Sequence, residues 1–186
     1  MEAIVFAASS AHHGGVSLWI FGYGSLLFRP GFPFQERRAA RVHGFERRLD
    51  QGSPDHRGTP ERLGRVATLR RTEGASCTGA VYRVADADRE AVLTALDIRE
   101  QGGYERLELT AELIEGGEVK AVTWVASPGN AYHLGPAPLG EMAAQIRSAV
   151  GPSGSNLDYV VALDKALRGL GCEDVHVAEV ARAVNG

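Results

Sequence analysis

The segment from Tyr104 to Ile114 constrains the fold more than any other part of the chain, because its side chains alternate between apolar and polar. One face of an extended strand would carry Leu107, Leu109, Ala111 and Leu113, and the opposite face Arg106, Glu108, Thr110 and Glu112. A period of two residues is typical of a strand with one buried face. The glycine pair at 116–117 then predicts a turn, and residues 119–126 predict the returning strand of a hairpin.

Further strands are predicted upstream of this hairpin, and most helices downstream. Apolar runs predict strands over residues 18–22, 40–49, 65–71 and 77–84, and a polar, Gly- and Pro-rich stretch predicts a loop over 51–63. Helical spacing predicts helices over 86–98, 139–150, 157–167 and 174–184, with Asp86 capping the first and Ser155 or Asn156 capping the third. This order, without βαβ alternation, predicts an α+β fold whose antiparallel or mixed sheet can curl into a barrel.

Length and charge exclude several classes of protein. The 186 residues support one compact domain, which we predict to span residues 17–186, after a flexible N-terminal extension over residues 1–16. With 20 basic and 23 acidic side chains the net charge is −3, so no nucleic-acid partner is expected. No apolar run reaches the roughly 18 residues of a membrane span, so no membrane partner is expected. Cys77 and Cys172 form no CxxC pair, and as free thiols they predict a cytoplasmic protein.

The sequence Phe-Gly-Tyr-Gly-Ser-Leu follows the first predicted strand and is the first candidate for a binding site. Gly22 and Gly24 allow close approach of the backbone, its amides can converge on an anion, and the Ser25 hydroxyl can add a donor. The third glycine of a dinucleotide fingerprint would fall at position 27, which is Leu27, and no P-loop lysine follows. On its own the stretch is equally explained as a tight turn that leaves a strand.

A second candidate is the segment from Leu96 to Tyr104, where the first predicted helix ends in charged residues just before a double glycine. A carboxylate of this segment is either a solvated charge at a helix end or, if partly buried beside a pocket, a general base with a raised pKa. Two polar loops, residues 55–60 and 130–138, are candidate pocket rims or plain surface loops. The chain contains no HExxH, no GxSxG and no clustered Cys/His ligands, so we expect neither a metal nor a covalent serine intermediate.

Taken together and in order, these stretches resemble the ChaC-type γ-glutamylcyclotransferases, in particular the glutathione-specific branch. The similarity extends from about Leu18 to about Leu170 and is carried by five segments: LWIFGYGSLLFRPGFPF, RVHGFERRLDQGSPDHRGTPERLGRV, LDIREQGGYE, HLGPAPLGEMAAQI and GPSGSNLDYVVAL. The resemblance implies a small mixed β-barrel surrounded by helices. It also implies conversion of glutathione, a small-molecule substrate, to 5-oxoproline and cysteinylglycine without a cofactor.

The same resemblance assigns roles to individual residues. It implies that Glu100 is the catalytic acid and base, and that the γ-glutamyl group is held by the loop of Ile20, Phe21, Gly22, Tyr23, Gly24 and Ser25. Residues of the two polar loops are expected at the pocket rim, namely Asp55, His56, Arg57, Tyr132 and His133.

Among four departures from the family pattern, at Phe28, Asp50, Leu63 and His133, two bear on the choice of substrate. His133 stands where a tyrosine is usual before LGPAP, and Asp50 stands where aromatic character is usual. Two alternatives therefore stay open. The first is a cyclotransferase of the same fold that acts on other γ-glutamyl amides or amino acids, and the second is a non-catalytic γ-glutamyl-binding module.

Overall fold

Five strands close into a barrel in the computed structural model, which describes residues 17–186. The strands are β1 (Leu18–Gly22), β2 (Glu36–Ser53), β3 (Gly64–Val84), β4 (Tyr104–Leu113) and β5 (Glu118–Ala126), in the order β1-β3-β2-β4-β5. Neighbours pair antiparallel except β1 and β5, which run parallel where Ile20 faces Val122. The α+β fold with a small mixed barrel is therefore confirmed, whereas the extension predicted over residues 1–16 lies outside the described residues.

Helices cover the outside of the barrel. The described residues form α1 (Arg89–Arg99), α2 (Leu139–Ser148), α3 (Asn156–Gly169) and α4 (Val175–Asn185), with a two-stranded ribbon, β6 (Val150–Gly151) and β7 (Gly154–Ser155), between α2 and α3. The last three helices pack on one another and on β2 and β3, while α1 buries Val92 and Leu96 in a separate cluster with Trp124. None of the helices within residues 17–186 combines the length and the apolar character that a membrane span needs.

One of the two predicted helix caps is confirmed. The Ser155 side chain accepts a hydrogen bond from the Asp158 amide at 3.0 Å and starts α3, as one of the two predicted caps. Asp174 does the same for α4. Asp86, by contrast, lies inside a 3-10 turn, and α1 begins only at Arg89, so the predicted cap was wrong.

The long strands differ most from the sequence-based prediction. The segments 65–71 and 77–84 belong to one strand, β3, whose exposed middle continues to pair with β2 as a ribbon. Residues 51–53 were predicted as loop but extend β2, because Gln51 and Ser53 bury their polar side chains with hydrogen-bond partners. Gly44, with φ of +77°, sits where the β2–β3 register shifts and allows the ribbon to bend.

Candidate active site

A cavity of about 340 Å³ opens where the end of β1 meets the end of α1, a size typical of small-molecule sites. Segments that are distant in the sequence build its wall: the glycine loop after β1, the loop after β2, the turn after α1 and the start of α3, together with parts of β3 and β5. The residues that line the cavity include Phe21, Tyr23, Gly24, Ser25, Arg29, Asp55, His56, Arg57, Arg99, Glu100, Tyr104 and Tyr159.

Glu100 lies at the C-terminal end of α1, where its amide still donates to the Leu96 carbonyl at 2.9 Å. Its side chain is 18% exposed and its carboxylate faces the cavity. Burial raises the pKa of this carboxyl, whereas the nearby charges of Arg99 and His56 lower it and that of Asp55 raises it again. The group therefore gains affinity for a proton while it stays within reach of a ligand, as a general base requires.

Arg99 joins the glycine loop to the Glu100 carboxylate. Its Nη2 donates to Ser25 Oγ at 2.8 Å, and its Nη1 donates to the carbonyls of Arg29 and Pro30 at 3.1 and 2.9 Å. Its Nε lies 3.4 Å from Glu100 Oε1. One planar guanidinium thus orients the two candidate motifs relative to each other, a role that a flexible ammonium could not reproduce.

Two side chains hold the turn after Glu100: Gln51, which the sequence analysis did not single out, and Asn130, the first residue of the candidate loop 130–138. Gln51 is fully buried, and its Nε2 donates to the Gly102 carbonyl at 2.9 Å and to Asn130 Oδ1 at 3.0 Å. Asn130 returns a hydrogen bond to Gln51 Oε1 at 2.9 Å. Gly103 has φ of +94° and packs so closely on Asn130 that a Cβ would lie 2.5 Å from its side-chain oxygen. The carboxylate is therefore presented by a rigid turn.

The glycine loop contributes part of its predicted set to the wall. Phe21, Tyr23, Gly24 and Ser25 line the cavity. Ile20 is instead fully buried in the cluster beneath α1, because its side chain points to the other face of β1. Gly22 also lies behind the wall, and a Cβ there would come 2.8 Å from the Leu26 Cβ. This close packing leaves no room for a side chain at position 22.

The loop after β2 brings its three predicted residues to the cavity rim. Ser53 Oγ accepts from the amides of His56 and Arg57 at 3.3 and 3.0 Å and so folds the loop back toward the cavity. The Arg57 guanidinium donates to the Ser155 carbonyl at 3.2 Å and lies 5.6 Å from the centre of the Tyr159 ring. Over residues 17–186, no group of three or more His, Cys, Asp or Glu side chains could hold a metal ion.

Tyr132 and His133, predicted at the rim, do not line the cavity. Their loop pairs by its backbone with the end of β2: the Gly52 amide donates to the Tyr132 carbonyl at 2.8 Å, and His133 forms a bridge with Gln51. The sequence showed a polar loop near the site but not which strand it would join. Asp50 is likewise away from the cavity, where its buried carboxylate lies 3.4 Å from the Arg70 guanidinium.

Three tyrosines line the cavity around Glu100, of which the sequence analysis singled out only Tyr23. Burial raises the pKa of all three hydroxyls, that of Tyr159 to about 12, and the Glu100 charge contributes to each. Tyr104 follows the double glycine directly, and Tyr159 stands inside GSNLDYVVAL on α3. Their places within two of the segments quoted for the family resemblance were the signal that could have found them.

A closed five-stranded barrel that is covered by helices and has a carboxylate in its cavity defines a class of small-molecule enzymes, and comparison with known sequences identifies the family. Residues 18–186 match the family described as ChaC-like protein, and the chain belongs to that family. It is 39% identical over 177 residues to "Gamma-glutamylcyclotransferase 2-3" of Arabidopsis thaliana, covering 91% of this chain and 89% of the relative. It is 38% identical over 174 residues to "Glutathione-specific gamma-glutamylcyclotransferase 1" of Homo sapiens, covering 90% of this chain and 78% of the relative.

Solved structures agree with this assignment. A crystal structure of a γ-glutamyl cyclotransferase specific to glutathione from yeast superimposes with a TM-score of 0.85 and 28% identity, and the match covers 92% of this chain and 96% of that one. A γ-glutamyl cyclotransferase structure at 18% identity has a TM-score of 0.56 and supports the fold alone.

Proposed function

We propose that this protein is a glutathione-specific γ-glutamylcyclotransferase, a lyase that converts glutathione to 5-oxoproline and cysteinylglycine. One observation carries the proposal: a largely buried carboxylate with a raised pKa, Glu100, is tied through Arg99 to a glycine-containing loop in a cavity large enough for a tripeptide. The name of the human relative supports glutathione as the substrate, and the name of the Arabidopsis relative supports the cyclotransferase activity.

The reaction needs one group that can both take and return a proton. The α-amine attacks in its neutral form, after the ammonium has released one proton to water; its nitrogen must give up a second proton as it bonds to the γ-carbonyl carbon, and the departing cysteinyl nitrogen must gain one. Glu100 serves both steps, first as base and then as acid, and such catalysis typically contributes about 10²–10⁴-fold. Nucleophile and electrophile belong to one molecule, so the enzyme gains most by holding the conformer in which the five-membered ring can close. This chemistry requires neither a metal nor a cofactor.

The substrate carries two carboxylates, and the cavity offers a place for each. The glycine loop is the proposed cradle of the γ-glutamyl end, and among described residues no acceptor takes the Gly24 amide, so this donor is available for the α-carboxylate. Arg29 and Arg57 line the cavity, and their guanidinium groups suit the glycine carboxylate at the far end of glutathione. A γ-glutamyl amide without that second carboxylate would leave these charges unused.

The alternatives are activity on other γ-glutamyl amides and binding without turnover. His133 and Asp50 left room for the first of these, but neither residue lines the cavity, and this supports glutathione as the substrate. A pure binding module would gain nothing from Glu100, because a buried carboxylate repels the carboxylates of the ligand.

The test is an assay of 5-oxoproline formation with purified protein and glutathione or γ-glutamyl-alanine as substrate. We expect turnover of glutathione and a loss of about 10²–10⁴-fold in the Glu100→Gln variant. Glu105→Gln, which neutralises an exposed carboxylate on β4, serves as the matched control and should retain full activity. Turnover of γ-glutamyl-alanine alone would favour the first alternative. Calorimetric binding of glutathione without turnover would favour the binding module.

We further propose that the enzyme works in the cytoplasm, with a small molecule as its ligand and without nucleic-acid or membrane partners. Cys77 and Cys172 are free thiols, which is consistent with a reducing compartment. The net charge of −3 is consistent with the absence of a nucleic-acid partner. Fractionation of host cells with an antibody to the protein tests the location, and recovery in a membrane or secreted fraction would contradict it.

A further inference from the structure

The three cavity tyrosines differ in what their hydroxyl protons do. The Tyr23 hydroxyl donates to the Trp124 carbonyl at 2.6 Å, and the Tyr104 hydroxyl donates to the Ala67 carbonyl at 2.8 Å. The Tyr159 hydroxyl makes one hydrogen bond with the described residues, and in it the oxygen accepts from the Ala67 amide at 3.0 Å. Tyr159 is only 3% exposed, so its proton is a buried donor without a protein acceptor. A ligand in the cavity can supply that acceptor.

This hydroxyl lies against the glycine loop. A Cβ on Gly24 would come 3.3 Å from the Tyr159 oxygen, which is a tight contact, so the hydroxyl lies directly against the bare backbone of this glycine. Tyr159 lines the same cavity as Glu100, and the Glu100 charge is one of the influences that raise the pKa of the hydroxyl. Because burial is the largest cause and holds that pKa at about 12, the hydroxyl stays protonated at neutral pH.

We propose that the Tyr159 hydroxyl is a catalytic hydrogen-bond donor to the γ-carbonyl oxygen of the substrate, where it stabilises the oxyanion formed during ring closure. The inference rests on the proposed function and adds a residue to it. Fixed donors aimed at an oxygen that gains charge contribute strongly to catalysis in a site shielded from water. The Arg57 guanidinium near the face of the same ring holds the ring in place and favours negative charge around it.

The proton of Tyr159 is shared in this step but not transferred. As the α-amine nitrogen bonds to the γ-carbon, its proton goes to Glu100 and the π-electron pair of the carbonyl moves onto oxygen, which accepts the hydrogen bond from Tyr159. When that pair re-forms the carbonyl, the bond from the γ-carbon to the cysteinyl nitrogen breaks, and Glu100 returns a proton to this nitrogen. The products are 5-oxoproline and cysteinylglycine, and both Tyr159 and Glu100 end in their starting protonation states.

The chain offers a closely matched control, because Tyr104 and Tyr159 both bond to the backbone of Ala67. Tyr159→Phe and Tyr104→Phe each remove one hydroxyl and leave one Ala67 backbone group without that partner, but only Tyr159→Phe removes the uncommitted proton. We expect kcat for glutathione to fall about 100-fold in Tyr159→Phe with KM unchanged, and to fall much less in Tyr104→Phe. Equal losses in both variants, or a rise in KM at constant kcat for Tyr159→Phe, would overturn the proposal.

A second readout separates an oxyanion donor from a structural residue. In an analogue whose γ-carbonyl oxygen is replaced by sulfur, the acceptor is weaker, so the oxygen-to-sulfur rate ratio should be smaller in Tyr159→Phe than in wild type or Tyr104→Phe. An unchanged ratio would count against Tyr159.

Should Tyr159→Phe fail to fold, 3,5-difluorotyrosine at this position keeps the oxygen that accepts from Ala67 and makes the phenol more acidic. The basic limb of the pH–rate profile should then move to lower pH, and an unmoved limb would refute the donor role. Wild-type protein that forms no 5-oxoproline from any γ-glutamyl compound would instead refute the proposed function itself.

Discussion

Replacing Arg99 by glutamine should move the acidic limb of the pH–rate profile to higher pH, because the positive charge nearest to the Glu100 carboxylate is lost. Two unit charges 3.4 Å apart, the distance between Arg99 Nε and Glu100 Oε1, interact by about 1 kcal/mol in a water-like dielectric and by about 5 kcal/mol at an effective dielectric constant of 20. Both side chains are partly exposed, 25% and 18%, so we take about 1–2 kcal/mol.

An interaction of that size corresponds to about a tenfold change in the fraction of Glu100 that is ionised on the acidic side. The sign follows from the role of the group: a base must be ionised to act, and removal of a neighbouring cation favours its protonated form. We therefore expect the acidic limb of kcat/KM for 5-oxoproline formation to move up by about one pH unit in Arg99→Gln.

Arg99→Lys separates this charge from the hydrogen bonds of the guanidinium. Lysine keeps the positive charge but loses the fork that bonds Ser25 Oγ and the carbonyls of Arg29 and Pro30, so KM should rise while the limb stays in place. Arg168→Gln, which breaks an exposed ion pair with Asp164 on α3, controls for the loss of a surface charge. An unchanged limb in folded Arg99→Gln protein, or a shift to lower pH, would refute the conclusion that Glu100 titrates under the influence of Arg99.

Three further predictions concern stability and selectivity. Because burial raises the pKa of Glu100, ionisation of this group destabilises the fold above its ordinary pKa of about 4.3. Glu100→Gln should therefore raise Tm at pH 7, and this gain should disappear below about pH 4. A lower Tm of the variant in thermal unfolding at pH 7 would contradict this. Gly58→Ala should destabilise the protein in the same assay, since a Cβ would lie 2.2 Å from the Gly64 amide nitrogen, whereas Gly129→Ala, with no atom within 4 Å, should be tolerated. Arg57→Ala should raise KM for glutathione by about 10–100-fold but leave KM unchanged for a γ-glutamyl amide without a second carboxylate, whereas kcat, which depends on the Tyr159 ring beside Arg57, should fall alike for both; an equal rise in KM for both substrates would argue against a carboxylate contact.

Local pattern predicted much of the barrel and part of the site. The period-two alternation of residues 104–114 predicted β4, whose inward positions Ala111 and Leu113 are buried while Glu108 and Glu112 are exposed. Alternation reports which face is buried but not which strand lies alongside. Consequently, the sequence showed neither that residues 65–71 and 77–84 form one continuous strand nor that β1 pairs in parallel with β5.

Within the site, the sequence by itself determined which groups could act as base and as anion-binding loop, because the residue type and the adjacent glycines limit what a short segment can do. The glycine loop and the charged helix end were candidates on this ground, the family resemblance pointed to Glu100 and to the loop from Ile20 to Ser25, and Glu100 meets Tyr23, Gly24 and Ser25 in one cavity. Only the tertiary structure decided that Tyr132 and His133 lie outside that cavity, that Gln51 holds the turn after Glu100, and that the proton of Tyr159 has no protein acceptor. Such properties depend on contacts between residues as far apart as Ala67 and Tyr159, and only the packing of α3 against β3 brings those two residues together.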